Sequence, residues 1–219
     1  MGDRRRRARR ATLVLPALLA AAILAALLAG CGGSTATAAD PLAGYWIGGG
    51  ATGMKLVHIV KNGDAYTVFA NPDYKAPEPT KRGDALVIDA HSVKLSLIPA
   101  GTDRLTHKLT GSALKKPQTT VMKRVDQTQY ADAATGFGLD AIRRGLAMWK
   151  AGGAKEYPPP AEVTPTGMLG QMMAWPNNLF TGKPMQPGDS KGDYTYKPLD
   201  GGKSYSLVGH LSDGSTVGE

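Results

Sequence analysis

Apolar and polar positions alternate along much of the chain between residues 40 and 125. The clearest run is 92–98, where Val93, Leu95 and Leu97 face one way and Ser92, Lys94 and Ser96 the other. Strict alternation predicts a strand with one wet face. Further candidate strands are 45–48, 54–60, 66–70, 86–89, 104–109 and 119–125. Asn62-Gly63-Asp64 separates two of them and reads as a hairpin turn, with Gly83-Asp84 and Gly101-Thr102-Asp103 as further turns. Residues 71–79 carry three prolines, which cannot donate to a ladder, and read as a longer loop. About seven short strands without a helix predict a small antiparallel barrel or sandwich. Met54, Leu56, Val60, Val68, Val93, Leu95 and Leu97 suffice to fill its interior.

The period changes at Asp126. Tyr130, Ala134, Phe137, Ala141, Leu146 and Trp149 approximate one face of a helix over 126–150, with the charges of Asp140, Arg143 and Arg144 on the opposite face. Gly136 and Gly138 weaken its first half by about 1 kcal/mol each relative to alanine. Gly152-Gly153 ends it, and Tyr157-Pro158-Pro159-Pro160 forces an extended exit. Two short alternating runs follow, with Tyr194 and Tyr196 on one and Tyr205 and Leu207 on the other, turning at Asp200-Gly201-Gly202. The expected class is α+β, with an antiparallel β-domain over 40–125 and a helix-plus-hairpin domain over 126–219.

The N-terminus has a different texture. Six arginines between Arg4 and Arg10 precede an apolar run that ends at Leu28-Ala29-Gly30-Cys31. A basic head, an apolar middle and small residues before a cut are the parts of a secretory signal. The closing tetrapeptide resembles the lipobox of bacterial lipoproteins. That resemblance implies cleavage between Gly30 and Cys31 and acylation of the Cys31 thiol. It also implies a chain held on the extracytoplasmic face of the cell membrane, with a palmitate-type group in the bilayer. Residues 1–30 are then the signal peptide. Residues 31–39, Cys31 followed by Gly, Ser, Thr and Ala, form a flexible tether.

Removing the signal changes the charge balance. The chain holds 26 Lys+Arg against 18 Asp+Glu, a net +8. Residues 1–30 hold six arginines and one aspartate, so the remainder has 20 against 17, or +3. No basic stripe with interleaved aromatics is left, which argues against a nucleic-acid partner. Cys31 is the sole cysteine, and once acylated it leaves no thiol for a disulfide or a metal.

Motifs of catalysis are missing. Gly48-Gly49-Gly50-Ala51-Thr52-Gly53 matches G-x-G-x-x-G by letter, but a strand pattern follows it where a phosphate site needs a helix N-terminus. His58, His91, His107 and His210 are scattered, with His58 and His91 expected within strands, and make no metal or dyad spacing. The chain is therefore expected not to be an enzyme. A hydrolase of envelope polymers is the third-ranked alternative.

Two further resemblances add expectations. Gly44-Tyr45-Trp46 is similar to the Gly-x-Trp that opens lipocalin-like barrels, which implies that Arg124, at the end of the last strand, packs over Trp46 and closes the barrel. Over residues 127–218, three motifs follow the helix: Tyr157-Pro158-Pro159, then Trp175-Pro176-Asn177-Asn178, then the terminal hairpin. This order resembles the heads of type IV pilins and type II secretion pseudopilins. The apolar N-terminal helix through which pilins polymerise is not present after the signal, so the head reads as a surface module. The pseudopilin resemblance implies a calcium site, with Asp189 and Asp193 the best candidates among the C-terminal carboxylates. No other cofactor is expected.

The expected function is a membrane-anchored, non-catalytic structural or binding module of the cell envelope, with envelope or secretion-system proteins among its partners. Trp175 and Tyr157 are the candidate surface-binding residues. The alternative is a carrier or chaperone holding an apolar ligand inside the β-domain. A deep cavity lined by residues 54–109 would favour the carrier. A packed interior with an exposed aromatic patch near Trp175 or Tyr157 would favour the binding module. A histidine with an acidic partner in a cleft would favour the enzyme.

Overall fold

A computed structural model describes residues 40–49, 53–72 and 74–218. Gly30, Cys31 and the signal and tether assignments lie outside the described residues. Among the described residues no helix is long and apolar enough to cross a membrane.

Nine antiparallel strands form the first sheet: β1 (Gly44–Gly48), β2 (Lys55–Asn62), β3 (Ala65–Ala70), β4 (Tyr74–Lys75), β5 (Thr80–Arg82), β6 (Ala85–Ala90), β7 (Val93–Pro99), β8 (Arg104–Thr110) and β9 (Gln118–Val125). Their order is β4-β3-β2-β1-β9-β8-β7-β6-β5, so the first long strand pairs with the last. All seven strands expected from the alternation are present. Two short ones add to them: β4 inside the proline-bearing loop and β5 directly after it.

Those two strands are the edges of the sheet, so the expected barrel is not closed. The physical reason lies in the link between them, Ala76-Pro77-Glu78-Pro79, where the two prolines have no N–H to give. The sheet nevertheless coils until both ends share one core. Val68 near one edge and Ile88 near the other belong to the same buried cluster as Trp46, Leu97, Leu105 and Met122. Lys81 of β5 reaches over the Tyr66 ring of β3, 5.9 Å from its centroid.

The tight turns follow their residues. Gly63-Asp64 joins β2 to β3 and Gly83-Asp84 joins β5 to β6, with only the glycine at positive φ, the pattern of type II′ hairpins. His91, expected within a strand, instead sits in the β6–β7 turn at φ +51°.

One expectation about the interior is corrected. Leu56 and Val60 point to the outer face of the sheet, and Met54 is 45% exposed. The interior is filled instead by Val57 and Ile59 of the same strand, next to Trp46. β2 is apolar on both faces because both are covered, and that erases the alternation that would have told them apart.

Helix α1 (Gln127–Ala151) covers the outer face. Asp126 caps it: its carboxylate accepts from Gln129 N at 2.8 Å, and the Gln129 side chain accepts from Asp126 N at 3.3 Å. Tyr130, Ala134 and Phe137 pack on Tyr45, Ile47, Leu56 and Val125. The opposite flank of α1 carries Leu139, Ile142 and Leu146, all fully buried. Ile142 is buried although the charged residues expected on the wet face, Asp140, Arg143 and Arg144, surround it in sequence.

This second flank packs on a three-stranded sheet of β12 (Tyr194–Leu199), β13 (Ser204–His210) and β14 (Thr216–Gly218), and on α2 (Met168–Met172). Between them β10 (Asn177–Asn178) pairs with β11 (Lys183–Pro184). The predicted hairpin is β12–β13, and β14 extends it. The two halves meet on one helix, and residues 40–219 form one compact unit.

Candidate ligand cleft

At the Asp40 end of the sheet, β1 and β9 are locked together by side chains. Trp46 is fully buried and donates its Nε1–H to Leu42 O at 2.8 Å. Arg124, its cross-strand partner, lies over the indole with Cζ 4.4 Å from the ring centroid. The guanidinium donates to Thr102 O (2.8 Å), Pro41 O (2.9 Å), Asp40 O (3.1 Å) and Ala43 O. Gly44 leaves room for it: at φ +133°, a Cβ there would stand 2.9 Å from Arg124 Nη1. Asp40 completes the latch, taking hydrogen bonds from Tyr66 Oη (2.8 Å) and Leu42 N (2.9 Å) and pairing with Lys61 Nζ at 2.9 Å. Partial burial pushes the Asp40 carboxyl up. The Lys61 and Tyr66 contacts and the two backbone N–H groups outweigh that and hold it well below the usual carboxylate range. These residues hold the first and last long strands of the sheet together.

An opening lies at the other end of β3. A cleft of about 380 Å³ runs between the loop after β3, helix α1 and the segment before β10. Asn71, Pro72 and Tyr74 form one wall, and Trp175, Pro176 and Asn177 the other. Its floor is the flank of α1 at Ala134, Phe137, Gly138 and Ala141, with Arg144 at the rim.

Each wall is fixed by its own chemistry. Trp175 donates Nε1–H to Met185 O at 2.9 Å and leans on Tyr194 at 6.1 Å between ring centroids. Asn178, only 2% exposed, ties down the strand that follows. Its Nδ2 donates to Lys191 O and to Asp193 Oδ1, each at 2.9 Å, and its Oδ1 accepts from Phe180 N at 2.9 Å. Gly138 lets this segment approach the helix, since a Cβ there would lie 2.5 Å from Met185 Sδ. Tyr74 opposite is 61% exposed.

A second hollow of about 390 Å³ shares Pro72 with the cleft. Here His58 stacks on Tyr45 (4.2 Å between centroids) and lies 5.7 Å from the Phe69 ring, with Tyr130 at 6.3 Å. Burial pushes the His58 imidazole down, toward its neutral form. Among the described residues its neighbours are the rings of Tyr45, Phe69 and Tyr130.

The sequence-predicted residues separate in space. Trp175 lies on the cleft. Tyr157 stands elsewhere, edge-on to Tyr205 at 4.6 Å and below Lys150 Nζ at 5.3 Å. Asp193 is a structural acceptor, taking Gln186 N (2.9 Å) as well as Asn178 Nδ2 on Oδ1. Among the described residues no group of three or more His, Cys, Asp or Glu side chains could hold a metal, at Asp189 and Asp193 or elsewhere. The sequence placed Phe137 and Ala141 on the apolar face of the helix and Arg144 on the opposite, charged face; the structure sets all three, at i, i+4 and i+7 of α1, along one cleft. Tyr74 fell within the expected loop, and the site carries no motif because its walls come from separate segments. Set beside known proteins, the chain matches no protein-family profile, no curated protein and no solved structure.

Proposed function

We propose that this chain is a lipid-anchored, extracytoplasmic binding protein of the bacterial envelope, without catalytic activity, which engages its ligand at the cleft beside Trp175. The observation that carries this reading is a contrast between two apolar regions. The interior of the nine-stranded sheet is filled by Trp46, Leu86, Leu97, Leu105 and Met122, each 0% exposed. The cleft under Trp175 and Tyr74 is open and walled by rings. A filled interior speaks against a carrier that holds its ligand inside the sheet, and an open apolar cleft with a few polar groups is the ordinary form of a ligand site. The Leu28–Cys31 tetrapeptide supports the anchor. The helix, Tyr-Pro exit, Trp-Pro loop and terminal hairpin in sequence support a pilin-like head used as a surface module.

Native mass spectrometry of the full chain purified from its own host tests this. A mass that begins at an acylated Cys31, with a bound adduct that disappears in Ala141→Phe, agrees with the proposal. An adduct that survives cleft filling but is lost on Leu97→Ala returns the carrier. A chain that begins at Met1 removes the anchor.

A further inference from the structure

We infer that the cleft is built for a small anion with a flat, apolar body, such as an aromatic carboxylate; this rests on the cleft being the binding site proposed above. Three observations carry it. First, the lining holds a single charge among the described residues, the Arg144 guanidinium. Arg144 is exposed at the rim. Its neighbour Arg143 pairs with Asp140 at 2.9 Å, while no hydrogen bond or ion pair in the described structure engages Arg144. (Asp73, between Pro72 and Tyr74 in the chain, lies outside the described residues.) Unengaged among the described residues, this planar fork of N–H donors at the rim of the cleft matches carboxylate oxygens in a bidentate manner.

Second, the walls are flat. Trp175, Tyr74 and Phe137 offer ring surfaces and Pro72 and Pro176 offer pyrrolidine faces, while Gly138 and Ala141 keep the floor low. The Trp175 ring is held by its hydrogen bond to Met185 O, so the wall is rigid before any ligand arrives. An aromatic body stacks on such faces in offset or edge geometry, and Asn71 and Asn177 add two carboxamides to the lining beside the Arg144 fork.

Third, the size suits a small molecule. About 380 Å³ lies at the low end of small-ligand sites. A stable protein interface needs roughly 800 Å² and 20–30 residues from each partner, far more than this concave strip presents. A membrane surface cannot enter a concave cleft at all.

The test uses the full lipidated chain in phosphatidylcholine nanodiscs. Three matched probes, 2-naphthoate, 2-naphthylmethanol and 2-naphthylmethylammonium, are titrated by calorimetry, with empty nanodiscs subtracted. The naphthoate is expected to bind on the order of tenfold more tightly than the alcohol, and the ammonium more weakly than both. Arg144→Gln, a substitution at an exposed position, is expected to bring naphthoate down to the alcohol and leave the alcohol unchanged. Ala141→Phe is expected to remove binding of all three, and circular dichroism on each variant verifies the fold. Equal affinities for the acid and the alcohol, a carboxylate preference that survives Arg144→Gln, or no binding of any probe would overturn the inference. If the probes fail while the host adduct is still lost in Ala141→Phe, the ligand class falls and the binding-protein reading stands.

Discussion

Arg124 and Trp46 face each other across the β1–β9 pair, with the guanidinium carbon 4.4 Å from the indole centroid. One arginine thereby joins the last strand of the sheet to the first and gathers the carbonyls of Asp40, Pro41, Ala43 and Thr102. Arg124→Ala is expected to destabilise the protein by about 2–3 kcal/mol through loss of the ring contact and these charge-assisted bonds. Arg124→Lys should recover only a minor part, because one ammonium cannot span carbonyls on two sides. Urea unfolding monitored by tryptophan fluorescence measures both, and equal midpoints for Arg124→Lys and the parent chain would count against the fork geometry.

Asp40 makes the same latch sensitive to acid. Its carboxyl is held well below the usual range in the folded chain, so the unfolded chain binds the proton more readily. The stability that Asp40 contributes is complete above its unfolded value and declines as pH falls from about 5 downward. Asp40→Asn should therefore be less stable than the parent at pH 7, with the difference narrowing toward pH 3. A gap that stays constant over this range would show that the charge has no part in it.

His58 acts in a higher window and through a different cause. Burial lowers its pKa, and the same holds for His107, where burial leads and Lys55 adds to it. The unfolded chain takes up these protons first as pH drops through about 6.5, so stability falls from pH 7 toward pH 5. His58→Phe keeps a ring between Tyr45 and Phe69 and removes one titrating group. Its Tm should change less between pH 7.5 and 5 than that of the parent, which differential scanning calorimetry reads directly.

Gly136 and Gly138 provide a matched pair within one helix. Nothing lies within 4 Å of a Cβ at Gly136, whereas a Cβ at Gly138 would meet Met185 Sδ at 2.5 Å and Pro176 Cβ at 3.2 Å. Gly136→Ala should stabilise by about 1 kcal/mol through helix propensity. Gly138→Ala should destabilise by about 1–3 kcal/mol through overpacking, and should also loosen the Trp175 wall. Shifts of the same sign in Tm would refute the packing role of Gly138.

Much of the local structure was legible in the chain. The seven long strands, the Asp126 start and Gly152 stop of α1, and the Gly63 and Gly83 turns all follow from period, caps and glycine placement, which act over a few residues. The division near Asp126 marks where the period changes, not where one body ends. The helix that begins there has apolar residues on two flanks because it is packed on both sides. Of the cleft residues, Trp175 was legible as an aromatic beside a proline. Arg144 read as one more charge on a wet helix face, and Tyr74 as part of a loop.

Sequence by itself determined where the seven long strands, helix α1, the β12–β13 hairpin and the Gly63 and Gly83 turns lie, since backbone preferences and hydrophobic period are local properties of neighbouring residues. Tertiary structure alone decided that Val57 rather than Leu56 faces the core, that the sheet stays open beside Pro77 and Pro79, and that Arg144, Tyr74 and Trp175 surround one cleft. The reason is that a strand covered on both faces, or a small residue beneath a bulky neighbour, takes its meaning from atoms far away in the chain.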